Sequence, residues 1–467
     1  MNFNPIIFRE YDIRGVYQKD FDLDFSENLG FVFAQSFSVN SPRKLTLALG
    51  YDARLSSPEI TAAVSRGMRR AGADVINLGL VTSPLLYFST FHLPQIDGGL
   101  MVTGSHNPPE FNGFKLSMGQ QTIFGDAIQK LRKAFQNSSN LESKSLLQKA
   151  EGQESSYDIR SDYVKRYQEE FGANKKNLKI ILDCGNGAAG SVVRRLFNSC
   201  GLDPEILFEE PDGLFPNHHP DPTVEKNLKY LQKRVLETGA HLGIGFDGDA
   251  DRIGVVDERG RMVFGDELMV VISRAILAEQ KGSKIIGDVK CSDRLFLDIQ
   301  KNGGEPILWK TGHSLIKEKI KVEKAPFGGE MSGHIFFADR NYGTDGALYA
   351  ALRICEILAQ QKKHFSQLLE DLPGSFNTPE IRIDTTEEKK LTVVEVLRRK
   401  YSDTAWVQSR NLKVNFLDGV RISYPDGWAL VRSSNTQPVL VMRFESSTEE
   451  GLQKIRQEIE ASIAGIL

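Results

Sequence analysis

One local pattern recurs three times in this chain and limits what it can fold into. Leu45-Thr46-Leu47-Ala48-Leu49-Gly50 runs into Tyr51-Asp52-Ala53-Arg54, Lys179-Ile180-Ile181-Leu182-Asp183 into Cys184-Gly185-Asn186-Gly187, and Lys284-Ile285-Ile286-Gly287-Asp288 into Val289-Lys290-Cys291-Ser292. Each is a short apolar, β-rich run that ends in a Gly- or Asp-bearing turn and leads into helix-like sequence. The alternation predicts α/β domains with ligand groups at the carboxyl ends of their strands, and the repetition predicts three related units. At 467 residues the chain exceeds one core and predicts three or four domains.

Polar sequence over 136–156 marks a first junction, so that a first α/β domain spans 1–150. A turn at Asp257-Glu258-Arg259-Gly260 closes a second α/β domain, 151–256, and the loss of helical periodicity before Leu372-Pro373-Gly374 closes a third, 257–368. Residues 369–467 change character. Ile381-Arg382-Ile383-Asp384 and 419–424 alternate as half-buried strands and 452–466 reads as an amphipathic closing helix, which predicts a smaller α+β domain.

Lys plus Arg number 58 against 61 Asp plus Glu, a net charge of −3, which argues against nucleic acid as a partner. The N-terminal sequence has no basic segment followed by an apolar core, and no uncharged run reaches the ~18 residues that span a bilayer; the expectation is a cytoplasmic protein without a membrane partner. Cys184, Cys200, Cys291 and Cys355 form no Cys-x-x-Cys pair and are expected as buried reduced thiols. Residues 216–222, with His218 and His219 between prolines, read as a rigid connecting loop, Trp309 and Trp428 as packing residues, and Lys317 to Lys324 as an exposed helix face.

Two stretches carry chemistry. In Thr103-Gly104-Ser105-His106-Asn107-Pro108-Pro109-Glu110, Gly104 permits close approach of a ligand and the two prolines prevent a helix, so Ser105 is expected to be held out on a rigid loop. Asp247-Gly248-Asp249-Ala250-Asp251-Arg252 follows the apolar Leu242-Gly243-Ile244 and sets three carboxylates at alternate positions. At an effective dielectric near 20, unit charges about 4 Å apart repel by roughly 4 kcal/mol, so the trio calls for a cation, and oxygen ligands favour magnesium or calcium. An EF-hand needs Gly at its sixth position, where this chain has Arg252, and the flanks read as strands.

Together with Gly328-Gly329-Glu330-Met331-Ser332-Gly333-His334 and Arg432-Ser433-Ser434-Asn435-Thr436-Gln437-Pro438, these stretches resemble the four signatures of the α-D-phosphohexomutases, in their order and spacing. Tyr11-Asp12-Ile13-Arg14-Gly15, Asp288-Val289-Lys290-Cys291 and Trp309-Lys310-Thr311-Gly312-His313-Ser314 extend the resemblance over essentially the whole chain. The sugar loop is similar to that of the bacterial phosphomannomutase/phosphoglucomutase branch, while phosphoglucosamine mutases usually carry Gln at Met331; Gln437 departs from the Glu common in the phosphate loop.

The resemblance implies three related α/β domains and a smaller C-terminal α+β domain around a central cleft. It also implies an intramolecular phosphotransferase that interconverts hexose 1- and 6-phosphates of mannose or glucose through a phosphoserine at Ser105 and a 1,6-bisphosphate. One Mg2+ per chain would lie between Ser105, Asp247, Asp249 and Asp251, and glucose or mannose 1,6-bisphosphate would serve as activator. Arg14, Lys115, Arg252 and His313 would line the reactive centre, with Lys115 or His313 assisting proton transfer. Tyr11 and Lys290 would touch substrate, Glu330, Ser332 and His334 would meet the sugar from an extended loop, and Arg432, Ser434, Asn435 and Thr436 would hold the non-transferring phosphate. A monomer or weak dimer is expected. The alternatives are a phosphoglucosamine or other phosphosugar mutase of the superfamily and, in a different class, a catalytically silent sugar-phosphate or calcium binding protein.

Overall fold

The computed structural model describes residues 3–38, 43–137, 150–172, 178–361, 363–435 and 437–466. Three mixed sheets and one antiparallel sheet follow one another along the chain, in the order of the expected α/β and α+β units.

The first sheet runs Ile13–Val16, Phe111–Met118, Gly98–Val102, Thr46–Tyr51, Asp74–Leu80, Glu154–Ser156. Thr46–Tyr51 is parallel to both neighbours, whereas Gly98–Val102 and Phe111–Met118 form an antiparallel hairpin at one side. The second sheet repeats the arrangement: Ile180–Asp183 is parallel to Leu242–Phe246, which turns back antiparallel into Ile253–Asp257. In the third, Lys284–Asp288 is parallel to Phe327–Gly329, which turns back into Ile335–Phe337. The central strands are mostly apolar because both faces are covered; Ile180–Asp183 and Leu242–Phe246 contain only buried residues.

The repeat also places the motif stretches. The loops inside the three equivalent hairpins are residues 103–110, 247–252 and 330–334, the serine, aspartate and sugar stretches of the sequence. Two short edge strands reach past the expected domain boundaries. Glu154–Ser156 pairs with Asp74–Leu80 in the first sheet, and Met262–Val263 pairs with Ile253–Asp257 in the second, each completing a sheet edge from just beyond a polar turn.

The fourth sheet, Phe376–Asn377, Val439–Ser446, Gly427–Ser433, Val420–Tyr424, Lys413–Asn415 with Ile381–Asp384 against Val439–Ser446, is antiparallel throughout. Helices Glu387–Tyr401 and Glu449–Ile463 share its core, and Thr448 caps the second, which starts three residues before the amphipathic pattern in the sequence begins. No helix among the described residues is long and apolar enough to cross a membrane. The four cysteines are buried and free, and Trp428 is packed between the guanidinium carbons of Arg421 and Arg443, 3.8 and 5.6 Å from its ring.

Candidate active site

The hairpin loops open on a cleft of about 770 Å3 that all four units line. Ser105 lies at its floor and is 2% exposed, so the hydroxyl is packed in rather than held out on the surface. The residue adopts a left-handed backbone (φ 49°), a conformation that costs a non-glycine residue about 1–3 kcal/mol and must be imposed by its surroundings. Arg54 imposes it. Its guanidinium donates to the carbonyls of Ser105 (2.8 Å), Asn107 (2.6 Å), Pro108 and Phe111 (2.9 Å), tying the loop into one curl, and Asp52 accepts from the Gly104 N–H and the Thr103 hydroxyl. The absence of a side chain at Gly104 makes room for this clamp and not for a ligand, because a Cβ there would lie 2.5 Å from the Arg54 guanidinium carbon.

Ser105 Oγ donates to Asp247 Oδ2 at 2.8 Å and lies 3.3 Å from His106 Nδ1. Asp247, Asp249 and Asp251 are fully buried and offer ligand oxygens within 4.8 Å of one another. Antiparallel strands flank the loop on both sides, which is incompatible with the helix pair of an EF-hand. Burial, together with Asp251 and Asp249, raises the Asp247 carboxyl well above the usual range. Burial also pushes Asp251 up, but Lys115 and neighbouring cationic groups outweigh it and leave its pKa lowered. Oδ1 of Asp249 and Oδ1 of Asp251 are buried with no hydrogen-bond partner. Orphaned carboxylate oxygens beside a serine hydroxyl fit a hard divalent cation.

Cations surround the cluster. Lys115, on Phe111–Met118, is ion-paired with Asp249 (2.6 Å) and Asp251. Arg14 donates to Asn107 Oδ1 at 3.1 Å and pairs with Asp12. Arg252 Nε donates to His334 Nε2 at 2.9 Å, while His334 Nδ1 faces Asp345 at 3.2 Å. His313 stacks on His334 with ring centroids 5.5 Å apart, and burial, reinforced by Lys317, holds its pKa well below the ordinary value.

The sugar loop is not extended. Glu330 N–H donates to the His334 carbonyl and Gly333 N–H to that of Glu330, so 330–334 closes a tight turn and the alternate-residue reading of its side chains does not apply. Glu330 and Ser332 line the cleft, with Glu330 Oε1 accepting from Gly312 N–H at 2.6 Å, while His334 also engages Arg252 and Asp345. Lys290 lies 3.2 Å from Glu380 of the fourth unit. Tyr11 spans three units: its hydroxyl donates to the Thr311 carbonyl at 2.7 Å and accepts from Asn435 Nδ2 at 2.5 Å. Gly312 lets that ring approach, since a Cβ would come within 2.4 Å of it. Arg432, held by Asp418 at 3.0 Å, and Ser434 line the cleft beside Asn435; Thr436 lies outside the described residues. Gln437 accepts from Arg382.

Several contributors escaped the sequence reading. Asp52 and Arg54 stood in a recognised turn, but nothing local revealed that they grip a loop fifty residues away. His219 lines the cleft and His218 is tied to Asp183 at 3.1 Å, so the proline-bounded segment is more than a connection and contributes to the wall. Lys317 departs from the exposed face assigned to its segment: its ammonium bonds Asp345 at 3.1 Å and lies over the Tyr87 ring.

A buried hydroxyl beside a carboxylate cluster, faced by arginines and lysines from all four units, suits one class of chemistry. Enzymes of phosphoryl transfer need both a carrier for the group and positive charge around it. The comparisons identify which. The pattern for "Phosphoglucomutase/phosphomannomutase, alpha/beta/alpha domain I" matches residues 5–142, those for domains II and III match 161–260 and 264–376, and that for the C-terminal domain matches 380–462. A phosphomannomutase/phosphoglucomutase of Pseudomonas syringae pv. tomato is 41% identical over 458 residues, covering 98% of this chain and 95% of its own. A phosphoglucomutase of Neisseria meningitidis is 37% identical over 98% of this chain and 96% of its own. The crystal structure of a phosphoglucomutase/phosphomannomutase family protein from Burkholderia thailandensis superposes with a TM-score of 0.88 at 37% identity, over 100% of this chain and 99% of the other. The chain belongs to the phosphoglucomutase/phosphomannomutase family and is an isomerase of the intramolecular phosphotransferase type.

Proposed function

We propose that this chain interconverts the 1- and 6-phosphates of mannose and glucose, with Ser105 as the phosphoryl carrier. The observation that carries the reading is the Ser105 hydroxyl held 2.8 Å from Asp247 at the floor of a cleft lined by cations from every unit. Transfer across a pyranose from O1 to O6 is out of geometric reach in one step, so the group must be stored. In the first half-reaction the free sugar hydroxyl attacks the phosphorus of phosphoserine and passes its proton to a base, the P–Oγ bond breaks with its electron pair going to Oγ, and the protonated base returns the proton to Oγ to regenerate the serine hydroxyl. The resulting 1,6-bisphosphate turns over in the cleft and returns its other phosphoryl group to Ser105 by the same steps reversed.

Asp247, Asp249, Asp251 and Ser105 would hold Mg2+, which when bound supplies positive charge to the phosphoryl oxygens. Arg14 and Arg252 bring further charge to the same centre, positioned before reaction and so free of reorganisation cost. Lys115 is engaged as a donor to two carboxylates and His334 Nε2 accepts from Arg252, whereas burial favours a neutral His313 ring; the proton falls to His313. Arg432, Ser434, Asn435 and Thr436 grip the phosphate that is not moving, Glu330 and Ser332 meet the sugar hydroxyls, and Lys290 and Tyr11 close the cleft over them. A 1,6-bisphosphate of glucose or mannose primes Ser105 and acts as activator.

A coupled assay with magnesium, a trace of glucose 1,6-bisphosphate and, in parallel, mannose 1-phosphate, glucose 1-phosphate and glucosamine 1-phosphate tests the reading. Comparable turnover of the first two is expected; dominant turnover of the amino sugar transfers the chain to the phosphoglucosamine branch, and no turnover of any removes the assignment. Ser105→Ala is expected to lower kcat at least about 100-fold, and a near-normal rate overturns the phosphoserine route.

A further inference from the structure

Lys115 occupies a position that phosphoryl chemistry alone does not explain. It is 3% exposed at the cleft wall, and its ammonium bonds two of the three clustered aspartates, with the Ser83 hydroxyl 3.5 Å away. Each of those aspartates is divided in the same way. Oδ2 of Asp249 accepts from Lys115 at 2.6 Å and from Ser83 at 2.5 Å, and Oδ2 of Asp251 accepts from Lys115, while Oδ1 of both is buried with no hydrogen-bond partner. His334 Nδ1, at 3.6 Å from Asp251 Oδ1, is beyond hydrogen-bond reach. Asp247 differs: its Oδ1 accepts the N–H groups of Asp251 and Arg252 and its Oδ2 accepts the Ser105 hydroxyl.

We propose that Lys115 is a resident positioning residue of the metal site: by holding the Oδ2 atoms of Asp249 and Asp251 it turns their Oδ1 atoms toward the cation and sets the cluster's charge for a divalent ion. With all three carboxylates deprotonated, as cation ligands are, three negative charges less one ammonium leave two, and among the described residues Lys115 is the only lysine or arginine ion-paired with the trio. A deficit of two matches a divalent cation; a deficit of three would favour a trivalent one, since attraction scales with the product of charges and is strong where water is excluded. Fixing the orientation of ligand carboxylates from behind is the ordinary task of groups that surround a metal site. The inference rests on the metal-bearing part of the mutase reading and gives Lys115 a role independent of the sugar.

The test measures metal binding without any sugar phosphate: Mn2+ by electron paramagnetic resonance and Tb3+ by luminescence titration, with thermal melts of the metal-free proteins. Lys115→Met is expected to lower the metal-free melting temperature and to raise the Tb3+ to Mn2+ affinity ratio at least about tenfold, whereas Lys115→Arg, which keeps the charge, stays near the wild-type ratio. Lys115→Met/Asp249→Asn carries the wild-type deficit of two, so it is expected to melt above Lys115→Met and to return toward divalent preference, which keeps the idea testable if the single variant folds poorly. An unchanged ratio in Lys115→Met, or a double variant that is no more stable and still selects Tb3+, overturns the proposal. Wild type that binds neither ion would instead remove the metal from the mutase reading, and Lys115's role with it.

Discussion

The first three units and the fourth are joined to the molecule in different ways. One apolar cluster runs without interruption from Ala48 and Leu86 of the first unit through Tyr167 and Ile244 of the second to Leu348 and Phe365 of the third. The fourth has its own core, and its apolar seam with the third is confined to Val289, Trp428 and Leu430 with Leu308 and Leu417 beside them. What holds it is charge. Arg421 donates to the carbonyls of Val289 and Cys291 and to Asp293, Arg443 to Asp266 and the Lys290 carbonyl, and Ser292 to Glu445 at 2.6 Å. Apolar burial is indifferent to partner geometry, whereas charged hydrogen bonds are directional and have an alternative in water. The difference teaches that a shared apolar core sets the loops 103–110, 247–252 and 330–334 against each other, even though the first unit keeps a second core of its own, while the loop at 432–435 arrives on a unit held mainly by polar contacts.

The largest effect is expected on the apolar side. Tyr349 packs against Tyr167, Phe171 and Phe337 between the second and third units and donates to Glu170 at 2.8 Å. Tyr349→Ala should cost about 3–5 kcal/mol, read as a lower urea midpoint at unchanged slope. A split transition in that variant would break the comparison, because it would mean that the three units do not unfold as one body. Arg421→Met attacks the charged side. The loss of bonds from a cation to buried carbonyls should cost about 1.5–3 kcal/mol and appear as a separate, earlier transition of the fourth unit; uniform destabilisation would mean that its interface is no weaker than the others.

The smallest effect sharpens the contrast by pH. Burial lowers the His218 pKa, but Asp183 outweighs it and leaves a net rise, so this pair within the second unit stabilises fully below the unfolded histidine pKa and is lost as pH rises through the folded one. Between the third and fourth units the sign is reversed. Burial raises the Glu380 pKa, but Lys290 and Arg382 outweigh it and depress it to about 2, so its contribution is present above the ordinary carboxylate value and fades as pH falls toward that figure. Melts at pH 6 and 9 should therefore show a larger drop in wild type than in His218→Gln, while Glu380→Gln should follow wild type over that interval and diverge from it only in acid. A His218→Gln variant with the wild-type alkaline drop would remove the Asp183 pairing.

The sequence carried the central strands and the stretches whose loops meet at the cleft, because each rests on pattern or on short motifs whose members are neighbours in the chain. What it did not carry lies in contacts across long separations. Asp52 and Arg54 look like turn residues until the fold brings 103–111 against them, and Lys115, read as a group at the reactive centre, meets Asp249 and Asp251 only through the packing of two units. The burial of Ser105 was likewise illegible: a Gly-Ser-His-Asn-Pro-Pro loop is polar and turn-prone, and only the walls of the cleft cover it. The sugar loop's tight turn escaped for the opposite reason, since alternate polar residues fit a strand and a turn equally well.

The hairpin shared by the three α/β units gives carrier, cation cluster and sugar loop one crook each. Because every crook is anchored in its own sheet, a change within residues 330–334 leaves the strands that carry 103–110 and 247–252 untouched. Repetition of one scaffold thus lets each loop be altered on a foundation of its own.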